Sequence, residues 1–173
     1  MMGTGVRWRR DEFEPAQVCE NGHMVNSSTE SRPALNKRFC SDCGAPTLTE
    51  CPACGTDIEG THHYESNLAR AHYARSHPLS YCHECGAAYP WTERALQAAR
   101  EAAQIYLSPE DAETVEKNLP DVAHQTARTT IAAHLIQRAF SKGGGAAWEI
   151  FKAAAAVFAT EEAKSIFTHG IPH

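Results

Sequence analysis

Two kinds of sequence meet between Tyr81 and Ala103, in the stretch YCHECGAAYPWTERALQAAREAA. Cys82 and Cys85 begin it in a C-x-x-C-G motif, the form of a metal-binding turn. In such a turn two thiolates project from a tight bend, and the glycine adopts the positive φ that the bend needs. The alanine-rich residues that follow are typical of a helix. The sequence therefore predicts a metal-stabilised region that ends at Trp91 and a helical region that begins at Thr92.

The cysteines are confined to the first region. All seven lie between Cys19 and Cys85, and an odd number cannot pair completely within one chain. Six of them form C-x-x-C pairs, which is metal-ligand spacing rather than the spacing of a secreted disulfide framework. Large apolar residues are sparse over the same stretch. Because so few of them cannot build an ordinary core, the region is expected to need a metal to fold.

Four short motifs carry the predicted ligands: CENGH, FCSDCG, ECPACG and YCHECG. In the first motif His23 supplies the partner that Cys19 otherwise lacks, and Gly22 gives the backbone the freedom that the other glycines give their turns. Eight ligands fill two tetrahedral sites, so the sequence predicts two structural zinc ions per chain. The predicted metal ligands are Cys19, His23, Cys40, Cys43, Cys51, Cys54, Cys82 and Cys85.

The pairing of the motifs is open to three arrangements. Consecutive pairing, which we favour, joins the first motif to the second and the third to the fourth. A compact ribbon would instead join the second motif to the third and leave the outer two as a nested site. A cross-brace would join the first motif to the third. A disulfide framework and an iron–sulfur cluster are the chemical alternatives to zinc, since a cluster uses the same ligands.

The second region predicts helices throughout. Thr92 is expected to cap the first helix, and Ser108 followed by Pro109 to begin the second, which Pro120 ends. A third helix is predicted over residues 122–141, with Ile131, Leu135 and Ala139 in one apolar row and Ile136 and Phe140 beside it. The fold class is thus a small zinc-ribbon region of short β-hairpins, residues 1–91, followed by an all-α helical bundle, residues 92–173.

A glycine run at 143–145 separates the third helix from a last one, predicted over 146–167. Trp148, Phe151, Ala155 and Phe158 follow one another at the spacing of a core-facing row. The small residues 153–156 beside these aromatics would also suit a helix–helix contact between chains. The predicted partner is therefore another protein, or a second copy, bound through the C-terminal helices.

Charge and hydropathy limit the other classes of protein. The formal net charge is −5, and seven thiolates with two divalent zincs would change it to about −8. Such a balance counts against a general affinity for nucleic acid. The N-terminal stretch MMGTGVRWRRDEFEP has no apolar signal core, and the longest small-apolar run, AAAAVFA, is too short to cross a bilayer. We expect a cytoplasmic protein with no membrane span.

The stretch THHYESNLARAHYARSHPLS, residues 61–80, combines histidines with arginines and tyrosines. Its ordinary interpretation is a polar connector between two metal-binding turns. Cations beside aromatic rings can also meet a phosphate backbone and stack bases. Together with Lys37 and Arg38, Arg70 and Arg75 therefore keep a nucleic-acid-binding protein as the alternative function.

The quoted motifs, extended to FCSDCGAPT, CPACGTDIEG and YCHECGAAYPWTE, resemble in this order the uncharacterised bacterial zinc-ribbon family DUF2321. The resemblance covers nearly the whole chain and implies an N-terminal zinc-ribbon part with a helical tail. It implies no activity. The stretch 61–80 departs from the family pattern, where a more apolar, strand-like segment is expected.

The predicted function is a non-enzymatic zinc-binding interaction or adaptor protein with no catalytic or cofactor-binding residues. A metalloenzyme is disfavoured because catalytic zinc keeps an open position and the eight ligands fill both sites. His63 and Glu65, followed by CHEC at 82–85, echo the H-x-E…P-C-x-x-C pattern of zinc deaminases. Pro78 does not adjoin Cys82 as that pattern requires, and the other cysteines would have no role.

Overall fold

Six short strands precede five helices in the part of the chain that the computed structural model describes, residues 12–65 and 70–169. This order confirms the predicted fold class. The strands are β1 (Glu12–Pro15), β2 (Gln17–Cys19), β3 (Met24–Asn26), β4 (Thr47–Leu48), β5 (Glu59–Glu65) and β6 (Arg70–Tyr73). The helices are α1 (Pro90–Tyr106), α2 (Pro109–Ala123), α3 (Thr129–Gly143), α4 (Gly145–Phe158) and α5 (Glu161–Thr168).

The chain divides into two units after Pro90, whereas the sequence places the border after Trp91. Helix α1 begins at Pro90, so Thr92 lies inside its first turn and is fully buried rather than serving as the N-cap. Proline fits the first position of a helix because the N–H that it lacks would have no partner within the helix. None of the described helices is long and apolar enough to cross a membrane.

The strands form two antiparallel three-stranded sheets in the first unit. One has the order β1-β5-β6 and the other the order β3-β2-β4. Strands β5 and β6 lie within or beside the stretch 61–80, and β5 pairs with β1 through Phe13 and His62. The description of that stretch as a plain connector is therefore wrong for its first half. Residues 66–69, between the two strands, lie outside the described part.

A close approach links the second sheet's neighbouring loop to β5. The N–H of Thr61 donates to the carbonyl oxygen of Ser27 at 2.7 Å, and the hydroxyls of Ser28 and Thr61 lie 2.7 Å apart. A Cβ atom at Gly60 would collide with the carbonyl oxygens of Ser27 and Glu14. Glycine is therefore required at position 60 by the space between backbones.

Glu14 is a carboxylate buried in the first unit, with no exposed surface. Burial alone would raise its pKa, but hydrogen bonds from Ser31 and His63 outweigh burial and lower the pKa of Glu14 below its usual value. The N–H of Ser31 donates at 2.9 Å, and His63 Nε2 lies 2.8 Å from the other carboxylate oxygen. The carboxylate thus stays ionised at neutral pH and ties β1 to β5 and to the loop after β3.

The second unit has its core between the helices. Phe151 packs against Phe140 with the rings tilted by 32° at a centroid distance of 4.6 Å, and it makes an edge contact with Phe167 at 5.4 Å. Phe151, Ala155 and Phe158 are buried and Trp148 is half-buried, so the core row predicted for the last helix is confirmed. The small-residue contact predicted between chains therefore cannot use Phe151 and Phe158, because both rings lie in the unit's own core.

Ser108 caps α2 as predicted, since its hydroxyl oxygen accepts a hydrogen bond from the N–H of Asp111. Pro120 does not end α2, which continues to Ala123. Leu119, Val122 and Ala123 are buried there, so packing offsets the hydrogen bond that the proline removes.

The third helix begins at Thr129 rather than near Val122, because Gln125 adopts a left-handed backbone conformation with φ 48°. In that helix Ile131 and Leu135 are exposed, and the buried row contains Ile136 and Phe140 instead. Ala139 is also buried, so the prediction is right for Ala139, Ile136 and Phe140 and wrong for Ile131 and Leu135.

The predicted last helix is two helices. Ala159 and Thr160 are extended, and the Thr160 hydroxyl accepts a hydrogen bond from the N–H of Ala163, which starts α5. The N–H of Thr160 donates to the carbonyl oxygen of Val122 at 2.9 Å. Threonine followed by Glu161 and Glu162 is a helix-start signal that the alanine-rich sequence before it concealed.

Removal of metal should unfold the first unit and leave the helices of the second unit folded. We expect a strong chelator to abolish the dispersed NMR signals of residues 19–85, because the ligand thiols lose the ion that holds them together. Most of the helical circular dichroism should remain, because the core of the second unit contains no cysteine. Simultaneous loss of both signals would contradict this expectation and make the two units one cooperative structure.

Candidate metal centres

The three C-x-x-C-G turns are copies of one backbone structure. In each, the N–H of the first cysteine donates to the carbonyl oxygen five residues later, as from Cys40 to Ala45 at 2.8 Å. The N–H of the glycine then donates back to the first cysteine's carbonyl oxygen, as from Gly44 to Cys40 at 2.9 Å. The glycines have φ values of 70°, 75° and 72° at Gly44, Gly55 and Gly86, a conformation that other residues adopt only with strain.

A backbone bridge closes each of these turns. It joins the residue before the first cysteine to the residue after the turn: Phe39 to Pro46, Glu50 to Asp57 and Tyr81 to Ala88. The second cysteine of each turn is exposed while the first is buried. Each turn therefore anchors one thiol in the protein and presents the other at its tip.

The first motif reaches a similar end by a different turn. The N–H of Cys19 donates to the carbonyl oxygen of His23 at 3.0 Å, and Gly22, with φ 85°, donates back to Cys19 at 2.8 Å. Cys19 stands at the end of β2, fully buried, and the N–H of His23 points at its sulfur at 3.3 Å. Three residues separate Cys19 from His23, against two between the cysteines of the other motifs. The longer turn accommodates the imidazole ring.

The structure brings the first two motifs together. His23 Nδ1 lies 3.5 Å from Cys19 Sγ and 3.6 Å from Cys40 Sγ. Cys19 Sγ lies 3.7 Å from Cys43 Sγ. The imidazole thus offers Nδ1 rather than Nε2, which sequence spacing alone does not decide.

The third and fourth motifs form the second group. Cys54 Sγ lies 3.7 Å from Cys82 Sγ, and Cys51 Sγ lies 3.9 Å from Cys85 Sγ. In both groups the four ligand atoms all lie within 4.8 Å of one another. The grouping is the consecutive pairing, and the compact-ribbon and cross-brace arrangements are wrong. Within the described residues these are the two groups that can hold a metal ion.

The distances fit one tetrahedral metal ion in each group. Bonds of about 2.3 Å to sulfur and about 2.05 Å to nitrogen place tetrahedral ligands about 3.8 Å apart for two sulfurs and about 3.6 Å for sulfur and nitrogen. The five separations given above lie between 3.5 and 3.9 Å. A disulfide needs sulfurs about 2.05 Å apart, and all seven cysteines are free.

The thiols of the second group have opposed protonation behaviour. The N–H of Cys85 is the main cause that lowers the pKa of Cys82 to about 6. The N–H of Ala87 acts in the same direction on Cys85, but the neighbouring thiols Cys54, Cys82 and Cys51, with burial, raise the pKa of Cys85 to about 12. The four sulfurs therefore cannot all ionise together without a cation among them.

The first group shows the same conflict around an imidazole. The N–H of Ala45 and the amide of Asn21 lower the pKa of Cys43 to about 6. Burial is the main cause that raises the pKa of Cys19. Hydrogen bonding to Cys43 and Cys40 raises the pKa of His23, because negative sulfur favours a positive neighbour. Bound metal supplies that positive charge in place of the proton.

Two side chains near the sulfurs were not singled out from the sequence. Asn21 Nδ2 donates to Cys43 Sγ at 3.4 Å, and Thr56 Oγ1 lies 3.3 Å from Cys54 Sγ. Both stand within or just after a ligand motif, and their short polar side chains are the only sequence signal for the role. Hydrogen bonds of this kind stabilise a thiolate that carries a metal.

Two other histidines, His62 and His83, belong to a different network. His62 Nε2 lies 3.4 Å from Glu59, and His83 Nδ1 lies 3.6 Å from the other oxygen of that carboxylate. Arg75 Nη2 is 3.3 Å from Glu59 as well. Glu59 thus connects β5 with the fourth cysteine turn, and no third metal group is formed by the described residues.

With the cysteine groups and the helical tail established, the comparison with known families is decisive. The model for a family described as an uncharacterized protein conserved in bacteria, DUF2321, matches residues 12–167. The chain belongs to this family. The resemblance found from the motifs is thereby confirmed. The DUF2321 match spans both units, so the metal groups and the helices are parts of one family architecture. Neither a curated protein nor a solved structure matches the chain.

Substitution of His23 tests its place as a ligand. His23→Cys should retain the metal of the first group, since a thiolate reaches nearly the same point as Nδ1 and completes an all-cysteine site. His23→Ala should lose or loosen one metal ion per chain and lower the thermal stability of the first unit. Metal analysis and thermal unfolding of the purified variants are the measurements.

His77→Ala is the matched control, because His77 is an exposed histidine of the same unit outside both groups. It should keep the full metal content. If His23→Ala also keeps the full metal content at unchanged stability, His23 is not a ligand.

Proposed function

We propose that the chain is a non-enzymatic interaction protein whose first unit is held by two structural zinc ions. The single observation that supports it best is the completeness of both ligand groups: each has four Cys or His side chains whose ligand atoms all lie within 4.8 Å of one another. Structural zinc in peptides contributes on the order of 10–16 kcal/mol at neutral pH. A unit with so few large buried side chains depends on a contribution of that size.

Zinc is favoured over other metals by the donor atoms. Thiolate and imidazole ligands in a tetrahedral arrangement suit zinc, whereas hard cations prefer oxygen. A polynuclear iron–sulfur cluster puts its thiolates on different irons and so spreads the sulfurs. The separations of 3.7–3.9 Å between sulfurs instead support a single ion in each group.

A catalytic role for these ions is not favoured. Catalytic zinc keeps a position for water or substrate beside three protein ligands, whereas here all four positions are supplied by Cys and His side chains. The exposed thiols Cys43, Cys54 and Cys85 are themselves ligands, so they are not available as nucleophiles. The ions are thus proposed to fix the positions of turns and strands.

The surface for a protein partner, or for a second copy, is proposed on the outer side of α4. Ile150 is 44% exposed and Val157 is 39% exposed, with Ala153 between them at helical spacing. The charges beside them, Lys152 and Glu149, pair with each other at 2.7 Å. An apolar strip whose flanking charges are already neutralised suits burial against another apolar surface.

Metal content tests the first part of the proposal. Freshly purified full-length protein, prepared without chelators, should contain about two zinc ions per chain by elemental analysis. A thiol reagent should react with few of the seven cysteines until a chelator is added. A metal content near one, or immediate reaction of all seven thiols, contradicts the two-site structure. Stoichiometric iron would replace zinc in the proposal.

The partner surface is tested by a double substitution, Ile150→Glu with Val157→Glu. It should leave helical circular dichroism and metal content unchanged, because both side chains point away from the core. It should weaken, by about tenfold or more, either self-association in analytical ultracentrifugation or the binding of proteins captured from the native host.

The control is Lys117→Glu, which changes the net charge by the same two units at an exposed position of α2. Its association should match that of the unaltered chain. A monomeric chain whose captured proteins are identical with and without the double substitution would contradict the proposed surface.

A further inference from the structure

An open groove of about 360 Å³ lies beside the first metal group, at the edge of the sheet that contains β2 and β4. Its lining residues come from β2, from the loop before Cys40 and from β4. They are Gln17, Asn36, Lys37, Arg38 and Thr47. No carboxylate is among them. In a chain with a net charge of −5, this groove is a local concentration of positive charge.

Hydrogen bonds that join side chains to the backbone and to one another hold the groove in shape. The N–H of Lys37 donates to Gln17 Oε1 at 2.8 Å, and Thr47 Oγ1 donates to the carbonyl oxygen of Lys37 at 2.6 Å. Asn36 Oδ1 accepts from Asn26 Nδ2 at 2.6 Å, and Asn36 Nδ2 donates to the carbonyl oxygen of Thr29 at 3.2 Å. The polar atoms of the groove are therefore positioned by the fold and not by flexible side chains alone.

Gln17 has hydrogen-bonding capacity that the protein does not use. The residue is 8% exposed, and its Oε1 is occupied by Lys37. Among the described residues, nothing accepts a hydrogen bond from its Nε2. Nε2 is not sealed from solvent, and Gln17 lines the groove. The two N–H groups of Nε2 thus suit an acceptor brought by a ligand in the groove.

The rim adds two cations and an aromatic ring. Lys37 Nζ donates to Ser41 Oγ at 2.7 Å, which leaves two of its three N–H groups for other acceptors. The Arg38 guanidinium carbon lies 6.0 Å from the centre of the Phe39 ring. That ring is 57% exposed. Arg38, which lines the groove, therefore also lies near the exposed ring of Phe39.

We propose that the groove binds the phosphate group of a nucleotide through Gln17, Lys37 and Arg38, and that the Phe39 ring supports the base. A phosphate monoester carries about −1.5 to −2 charge at neutral pH and three acceptor oxygens. The groove matches it with two cations and three separate donor groups. A single carboxylate has half the charge and would leave donors unused, so an acidic peptide fits less well.

The exposed ring of Phe39 favours a nucleotide over inorganic phosphate as the ligand. Exposed aromatic rings beside basic residues stack bases with little regard to sequence. The nucleotide has two sources, a free nucleoside monophosphate or the 5′-phosphorylated end of a single strand, because an internal phosphodiester carries only one negative charge. The acidic net charge of the whole chain opposes long-range attraction to a polyanion, but it does not prevent binding of one phosphate in a local pocket. This inference is independent of the partner surface proposed on α4.

The test is a titration of the zinc-loaded full-length chain, followed by NMR of the backbone amides. The probes are inorganic phosphate, adenosine 5′-monophosphate, a 5′-phosphorylated oligoadenylate strand and a short polyglutamate peptide. The monophosphate should shift the amide signals of residues 36–39 together with those of Gln17 and Thr47. It should bind more tightly than inorganic phosphate. Tighter and salt-dependent binding of the strand identifies the strand as the source, and equal binding identifies the free nucleotide.

Three variants assign the contacts. Lys37→Gln with Arg38→Gln should weaken monophosphate binding by about tenfold or more, at unchanged zinc content. Phe39→Leu should weaken the monophosphate but not inorganic phosphate. Arg32→Gln is the matched control, since Arg32 is an exposed cation of the same loop that does not line the groove. It should change binding by less than about twofold.

Three results would overturn the proposal. The first is the absence of signal changes at the groove with any of the phosphate probes. The second is equal weakening by Arg32→Gln, which would reduce the effect to general charge. The third is tighter binding of polyglutamate than of the monophosphate, which would make the groove a site for carboxylates.

Discussion

Repulsion among sulfur atoms is the constraint on which the first unit depends. Each group gathers its ligand atoms within 4.8 Å, so ionising one thiol makes the next harder to ionise. The second group shows the result, with a pKa of about 6 for Cys82 and about 12 for Cys85. A divalent cation converts this repulsion into attraction. Because each group joins two separate motifs, an ion that neutralised the sulfurs would also hold those two parts of the chain together.

The metal groups do not act alone, because the turns are already built for them. In every C-x-x-C-G turn the backbone hydrogen bonds and the glycine conformation recur with little variation. The buried first cysteine fixes the turn to the sheet, and the exposed second cysteine completes the group at the surface. Glu14 and Gly60 contribute in another way, by holding β1, β5 and the loop after β3 together. Metal and hydrogen bonds therefore replace the apolar core that this unit lacks.

The surfaces proposed for binding lie outside the two cysteine groups. When every cysteine is committed to a metal group, the chemistry open to a partner lies in the groove of Lys37 and Arg38 and on the outer side of α4. The two surfaces differ in kind. The groove is polar and cationic, and hydrogen bonds beside the first metal group hold its shape. The surface on α4 is an apolar strip on a helix. They belong to different units, so the two proposed surfaces suit chemically different ligands.

Much of this protein followed from its sequence. Metal-ligand spacing is a local property, so the motifs identified all eight grouped residues, and glycine and capping signals located several element ends. The sequence left open which motifs join, because that depends on contacts between distant residues. The helix ends are misplaced for different reasons. Burial of Val122 and Ala123 carries α2 past Pro120, and the left-handed backbone of Gln125 delays α3 to Thr129. The start of α5 at Thr160 has a local signal, and the hydrogen bond from Thr160 to Val122 holds it in place. The place of Gln17 in the groove was not visible in the sequence, because it depends on the contact between β2 and the loop before Cys40.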